Sequence, residues 1–233
     1  MKRNLATYVG LGGFGCLALT GGALAQDALH EKLAAAKQAA AQNRQALRAY
    51  SWLQQMEASY KGEAKKTTVN SCRYASDGSV QKTLVSSSPA PDEKGGLRGK
   101  IARKKKGEVK DEVESAAALA RSYVPPSPEL IQAAVAADNA TLTTAGPGTV
   151  ALVFRSYLKP GDSMTLTFES HVKKLLKAYV TSYLDNSTKP VTLEVDMQSL
   201  PDGTDYPAVA VLGLPTSKLA IRIQNTDHQK LAP

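Results

Sequence analysis

Cysteine, histidine and aromatic residues are all scarce in this chain of 233 residues. It has two cysteines, three histidines and 6% aromatic residues. So few metal-binding and disulfide-forming residues exclude a disulfide scaffold and an array of zinc fingers. His30, His171 and His228 fall in a predicted helix, a tight turn and a C-terminal tail, so their spacing does not bring them together. We therefore predict three solvated histidines and no metal site.

Signatures of catalysis and of cofactor binding are missing as well. The sequence has no G-x-S-x-G elbow, H-E-x-x-H helix, P-loop or EF-hand loop. Residues 10–15 match G-x-G-x-x-G, but no strand precedes them and no βαβ unit surrounds them. Glu194 and Asp196 share one face of a predicted strand, where solvated acids are more common than an acid–base pair. We predict a protein that is not an enzyme, with no catalytic residue and no cofactor.

An uncharged run near the N-terminus predicts export. Two basic residues precede residues 5–24, which carry no charge, and small residues stand at the −3 and −1 positions of a cleavage site after Ala25. The run is nearly long enough to span a membrane, but its many glycines make a poor permanent helix. We predict a signal peptide over residues 1–25 and a periplasmic or secreted mature chain. Cys72 is its only cysteine, so it has no internal disulfide.

The mature chain opens with a helix that is followed by antiparallel strands. Residues 27–48 are rich in alanine and carry apolar residues at helical spacing. At Tyr50 the apolar period changes to two, and further strands continue to residue 87 around a turn at Gly78. A Ser/Pro-rich break then leads into an inserted helical pair at about residues 97–136.

From Thr141 onward, short runs of alternating apolar and polar residues are separated by turns, among them Pro160-Gly161-Asp162 and Pro201-Asp202-Gly203. This pattern predicts about eight to ten antiparallel strands with one apolar face. Strands without helices between them argue against a doubly wound parallel fold. We predict an α+β fold: a single curved antiparallel sheet, or unclosed barrel, with an N-terminal helix and the inserted helical pair. Residues 26–233 form one domain.

The order of these elements resembles the periplasmic lipoprotein-carrier superfamily, which includes the Lol-type carriers and the related lipid-sensing anti-sigma regulators. The likeness lies in the N-terminal helix, a first strand that contains Trp52, the interposed helical pair, and a late strand introduced by Asp202-Gly203 and Pro207. It implies an unclosed antiparallel barrel that holds an apolar ligand under a helical lid. It carries over no individual ligand-contacting residue.

A sheet that is apolar on its concave side must either pack against its helices or leave a cleft. We predict an exported, non-enzymatic protein that binds a hydrophobic ligand, either an acyl chain or a lipidated protein, on that concave face. The predicted ligand-binding residues are apolar side chains that share one face by period-two spacing: Trp52, Met56, Phe154, Phe168, Val180, Leu193, Val195 and Met197.

The one concentrated charge feature is a basic stretch in the first helix of the inserted pair, Arg103, Lys104, Lys105 and Lys106. It suits an anionic membrane surface, or it is a solvated helix face that the acids downstream partly balance. We predict no nucleic-acid partner, because export separates the chain from nucleic acid and no aromatic residues interleave the basic ones. The alternative function is an envelope interaction module that binds an anionic surface or a protein partner through this helix.

Reversing Lys104, Lys105 and Lys106 to Glu tests the basic stretch. Each cation near an anionic bilayer contributes about 1 kcal/mol, and salt screens it beyond ~8 Å. In vesicle co-sedimentation, the wild-type protein should bind anionic vesicles less well as salt rises, and the triple variant should lose nearly all of this binding. Neutral vesicles are the control. Wild-type protein that ignores anionic vesicles at low salt would show that the stretch is only a solvated helix face.

Overall fold

A computed structural model gives the structure over five parts of the chain: residue 38 and residues 40–88, 97–171, 174–185 and 188–231, with backbone alone for 97–106. The predicted signal peptide, most of the predicted N-terminal helix and the side chains of residues 103–106 lie outside the described residues. Contacts separate the chain into two units, Met1–Ala40 and Ala41–Pro233, and all the elements named below belong to the second.

Ten antiparallel strands form one sheet in the described part of the chain. The order across the sheet is β3-β2-β1-β10-β9-β8-β7-β6-β5-β4, so β3 and β4 are free edges and the sheet is not closed. The predicted curved antiparallel sheet is confirmed. The strands are β1 (Tyr50–Tyr60), β2 (Glu63–Tyr74), β3 (Val80–Ser87), β4 (Ala140–Gly146), β5 (Thr149–Arg155), β6 (Ser163–Glu169), β7 (Leu175–Leu184), β8 (Lys189–Ser199), β9 (Asp205–Leu214) and β10 (Leu219–Lys230).

Helical backbone precedes β1 at residues 41–47 (α1), and two helices stand between β3 and β4, α2 (Leu97–Arg121) and α3 (Pro128–Ala136). The predicted inserted helical pair is therefore present. Ser127 caps α3 because its Oγ accepts a hydrogen bond from Leu130 N at 3.3 Å, and Pro128 starts the helix with a preset φ. Among the described residues, no helix has both the length and the apolar character that crossing a membrane requires.

The strand register places the apolar residues of the central strands on one face, because directly opposed residues point the same way. This apolar face runs from β5 through β10 to β1. Successive partners across it are Phe154, Met164, Val180, Leu193, Leu212, Ile221 and Ala58.

Both inserted helices cover part of this apolar face. The α2 helix packs against β7 and β9, and α3 packs against β5. Ala116 of α2 is fully buried among Leu184, Val191, Leu212 and Leu214. Small residues there let the helix approach the sheet closely. Burial of large apolar side chains, each contributing about 1.5–3 kcal/mol, then holds the two layers together.

The predicted C-terminal tail is wrong, because β10 extends to Lys230. Residues 224–230 are nearly all polar and show no apolar alternation, yet their backbone pairs with β1 as far as Tyr50. Leu231 N continues the pairing by donating to Ala49 O at 2.7 Å. Backbone hydrogen bonds to a neighbouring strand, which leave no trace in the hydrophobic pattern, account for this half of β10.

The turn before β9 is fixed by hydrogen bonds to Asp202. Tyr50 Oη donates to Asp202 Oδ2 at 2.6 Å, and Thr204 N donates to Asp202 Oδ1 at 3.0 Å. Gly203 follows with φ at 85°, a conformation that glycine adopts without strain. The bond from Tyr50, aided by Thr204, lowers the pKa of Asp202 from 3.8 to about 2.

These hydrogen bonds make the free energy of unfolding depend on pH. The folded-state pKa of Asp202 lies below its unfolded value, so its contribution is complete above about pH 4 and is lost as the pH falls through about 2. In urea denaturation, Asp202→Asn should flatten the decline of unfolding free energy across that window. Asp111→Asn, at an exposed position of α2, should keep the wild-type slope. Equal slopes for the two variants would contradict the role given to Asp202.

Candidate functional site

The eight predicted ligand-binding residues lie on one face of the sheet. Met56 on β1 faces Ile223, which faces Ala210, which in turn faces Val195 on β8. Because alternate residues of a strand share a side, Trp52 and Leu193 belong to that same face. The strand register therefore agrees with the shared face that the alternation predicted. Ligand binding by these residues stays a prediction.

Packing partners divide the eight residues into two groups. The first group is packed beneath α2 and α3: Phe154, Val180, Leu193 and Val195 are buried there, and Phe168 and Met197 are half-buried against them. The second group, Trp52 and Met56, lies on β1 and belongs to neither of the two buried apolar clusters that the described residues form. Trp52 is itself only 9% exposed, with Tyr74 and His228 against its ring, so half-buried Met56 is the more accessible of the two.

A chain of side-chain hydrogen bonds surrounds Trp52. Trp52 Nε1 and Gln54 Nε2 both donate to Asn225 Oδ1, each at 3.1 Å, and Asn225 Nδ2 donates to Pro207 O at 2.8 Å. Lys82 Nζ donates to Gln54 Oε1 at 2.7 Å. We call Lys82, Gln54, Asn225 and Trp52 the polar network. It satisfies Gln54, which is 9% exposed and therefore costly to bury without partners.

Aromatic rings flank the polar network. The rings of Trp52 and Tyr74 are 5.2 Å apart, His228 stacks on Trp52 at 6.1 Å, and Tyr206 meets His228 at 4.1 Å. The prediction of a solvated His228 is wrong, since β10 inserts this ring between two aromatic side chains. Burial lowers the pKa of His228, so the ring is favoured in its neutral form.

Cys72 lies directly opposite Trp52 in the register and is only 1% exposed. Burial raises the pKa of its thiol, with Lys82 opposing the shift, so the thiol stays protonated at neutral pH. Cys72 therefore behaves as a small apolar residue beside Trp52.

A second polar cluster, Tyr123, Asp162 and Ser182, is buried where the end of α2 meets the sheet. Tyr123 Oη donates to Asp162 Oδ2, so Ser182 Oγ, 2.9 Å from Tyr123 Oη, must be the donor in the other bond. Asp162 Oδ2 also accepts from Leu158 N at 3.1 Å and Lys159 N at 2.9 Å, whereas its buried Oδ1 has no partner among the described residues. Burial raises the pKa of Tyr123, which keeps the hydroxyl protonated as a donor.

The opposite face of the sheet carries the acid pair noted in the sequence. Lys177 Nζ lies 2.6 Å from Glu194 Oε1 and 3.2 Å from Asp196 Oδ1. The hydrogen bond with Glu194 is the main cause that raises the pKa of Lys177, and the bond with Asp196 adds to it. All three side chains are partly exposed, so the pairing stabilises the fold little. Glu194 and Asp196 therefore stand on one face because both pair with Lys177.

Other candidate residues are placed as follows. The backbone of residues 103–106 is helical within α2, and His171 is exposed in the turn after β6. Within the described ranges, His, Cys, Asp and Glu side chains form no group arranged to hold a metal ion. Sequence reasoning missed the polar network, although Gln54 gave a signal: it is a polar residue on the apolar face of β1, between Trp52 and Met56.

Comparisons of this chain with protein-family models, with curated proteins and with solved structures found no match. The geometry of the apolar face, the polar network and the helices that cover the sheet therefore carries the functional argument.

Tyr123→Phe tests whether the buried cluster anchors α2 to the sheet. Removing the hydroxyl takes a donor from Asp162 and an acceptor from Ser182 in a site where Tyr123 is 1% exposed. Loss of a buried hydrogen bond to a charged group should lower the free energy of unfolding by about 2 kcal/mol in chemical denaturation. Tyr179→Phe, on the opposite face and exposed, is the control. Equal stability of the two variants would contradict the anchor.

Proposed function

We propose that this protein is an exported, non-enzymatic carrier that binds an acyl chain, free or attached to a lipidated protein, on the apolar face of its unclosed barrel. The observation that carries the proposal is that the apolar face extends across more strands than the two helices cover. It runs from β5 to β1, while α2 and α3 pack mainly on β5, β7 and β9. The element order resembles the lipoprotein carriers, and the N-terminal leader supports a periplasmic or secreted location.

The ligand-binding region in this proposal begins at β1 and β10. Met56 and Ile223 face each other there and are half-buried, and half-buried Ala210 on β9 continues the apolar row from Ile223. An acyl chain laid along these residues removes apolar area from water at about 25 cal/mol per Å². Trp52 stands on the same strand four residues from Met56, about 13 Å along it, and is 9% exposed.

The buried residues of the predicted site have a different role in this proposal. Phe154, Val180, Leu193 and Val195 are covered by the helices, so a ligand reaches them only if α2 and α3 move away from the sheet. The contact of α2 with the sheet is largely apolar, and an acyl chain offers the sheet the same kind of contact. The helices then act as a lid that a ligand displaces in part.

Fluorescence of the single tryptophan provides the test. Trp52 is the only tryptophan in the chain, so its emission reports on the β1 part of the face alone. A fatty acid brominated along its chain quenches tryptophan at close range. We expect saturable quenching by the brominated chain and none by its unbrominated analogue, which should instead compete.

A matched pair of variants locates the binding. Met56→Glu places a charge on the apolar face, whereas Gln55→Glu places the same charge one residue away on the opposite face. We expect about tenfold weaker binding for Met56→Glu, because an acyl chain cannot solvate a carboxylate, and wild-type binding for Gln55→Glu. Circular dichroism confirms that both are folded. Equal binding by both folded variants would place the ligand elsewhere.

One observation favours the interaction module as a second candidate. Acids downstream of the basic stretch have partners of their own: Glu112 accepts hydrogen bonds from Ser217 Oγ at 2.7 and 2.8 Å, and Glu114 pairs with Lys110 at 3.6 Å. Glu114 therefore balances Lys110, whereas the neutral hydroxyl of Ser217 leaves the charge of Glu112 in place. The vesicle experiment with the Lys104, Lys105 and Lys106 reversal separates this candidate from the carrier, which does not need the basic stretch.

A further inference from the structure

The polar network carries an inference about the head group of the ligand, one that rests on the proposed acyl-chain binding. We propose that the ligand is an acyl chain with an anionic head group, a carboxylate or a phosphate, and that Lys82 on β3 receives this head group beside Trp52. The acyl chain then extends along β1 toward Met56.

The direction of every hydrogen bond in the polar network is fixed. The carbonyl of Pro207 only accepts, so the amide nitrogen of Asn225 must face it and the amide oxygen must face Trp52 and Gln54. The indole nitrogen only donates, which prevents the reverse orientation. Gln54 therefore donates through its amide nitrogen to Asn225 and accepts from Lys82 through its amide oxygen. The network holds an ammonium group in place with a neutral acceptor.

Lys82 has no opposite charge in this arrangement. None of the described carboxylates forms an ion pair with it, and Cys72, which faces it on β2, is kept neutral by burial, so the exposed ammonium group is left to solvent. An ammonium group has three donors, of which Gln54 takes one. A carboxylate or phosphate oxygen would supply the missing charge and accept a short, charge-assisted hydrogen bond.

Lys82 lies at a position on the sheet that suits the head-group end of an acyl chain. Lys82 faces Cys72, which faces Trp52, so these three residues form a row across β3, β2 and β1 on the apolar side. At about 3.3 Å per residue, Met56 lies about 13 Å further along β1. Thr68 faces Met56 from β2, whereas Ile223 faces it from β10, so a charged head at the edge strand and an apolar tail on the β10 side of β1 match the polarity of the surface.

A structural explanation of Lys82 also exists. An inward-pointing lysine on an edge strand hinders pairing with the edge of another sheet. That role predicts a change of association state when Lys82 is replaced, and no change in the preference among head groups. The two explanations are therefore separable by measuring both quantities on the same variants.

The experiment measures head-group preference in the full mature chain by displacement of the brominated fatty acid from Trp52. Competitors share one chain length: a fatty acid, a lysophosphatidic acid and an uncharged monoacylglycerol. Wild-type protein should prefer both acids by about tenfold or more. Lys82→Met should remove this preference and leave monoacylglycerol binding within about twofold, while Lys82→Arg should retain it. Lys66→Met is the matched control, since Lys66 faces Ala58 on the same side of the sheet and should keep the preference.

Each outcome has a distinct meaning. If no acyl compound quenches or competes at Trp52, the proposed function fails and this inference fails with it. If wild-type protein binds acids and monoacylglycerol equally, the head-group inference is wrong and acyl binding stands. A folded Lys82→Met that keeps the preference but changes its association state in sedimentation shows an edge-protecting lysine only. Competition by acetate or inorganic phosphate at the same concentrations as the acyl acids would overturn the inference in favour of a free-anion site.

Discussion

An unclosed sheet with one apolar face has to have that face covered, and the rest of this structure follows from that requirement. Closing a barrel would bury the face without help, but β3 and β4 remain apart as free edges. The inserted helices supply the cover over β5 to β9, and alanines such as Ala116 let α2 lie close to the strands. The part of the face at β1 and β10 continues the same alternation and gives the carrier proposal its binding surface.

In the described part of the chain, two clusters of hydrogen-bonded polar groups lie on the apolar side, and the bonds of each give it a role. Asp162 at the end of α2 accepts from Tyr123 and from two backbone nitrogens, which ties the helix to the sheet. The polar network around Trp52 lies toward the edge strand β3 and ends in the ammonium group of Lys82. A buried polar group without partners is costly, so these clusters define where helix and sheet meet and where a charged ligand end is tolerated.

The sequence predicted those parts of the fold that a local pattern specifies. Alternation predicted the start of β1 at Tyr50 and the shared face of Trp52 and Leu193, and the residue types of the turn predicted Asp202-Gly203. The second half of β10 was not predicted, because only backbone pairing with β1 defines it. The stacking of His228 on Trp52 was not predicted either, because His228 lies in that half of the strand. Asp162 was recognised only as a turn residue, since its contact with Tyr123 joins positions 39 residues apart.

The central claim is that the apolar face at β1 and β10 binds an acyl chain in the exported protein. Its most direct test is mass spectrometry of the lipids that remain with the protein when it is purified, without detergent, from cells that export it. The account predicts a stoichiometric acyl compound that is retained by Gln55→Glu and absent from Met56→Glu. Wild-type protein that carries no acyl compound, and takes up none when lipids are added, would contradict the account.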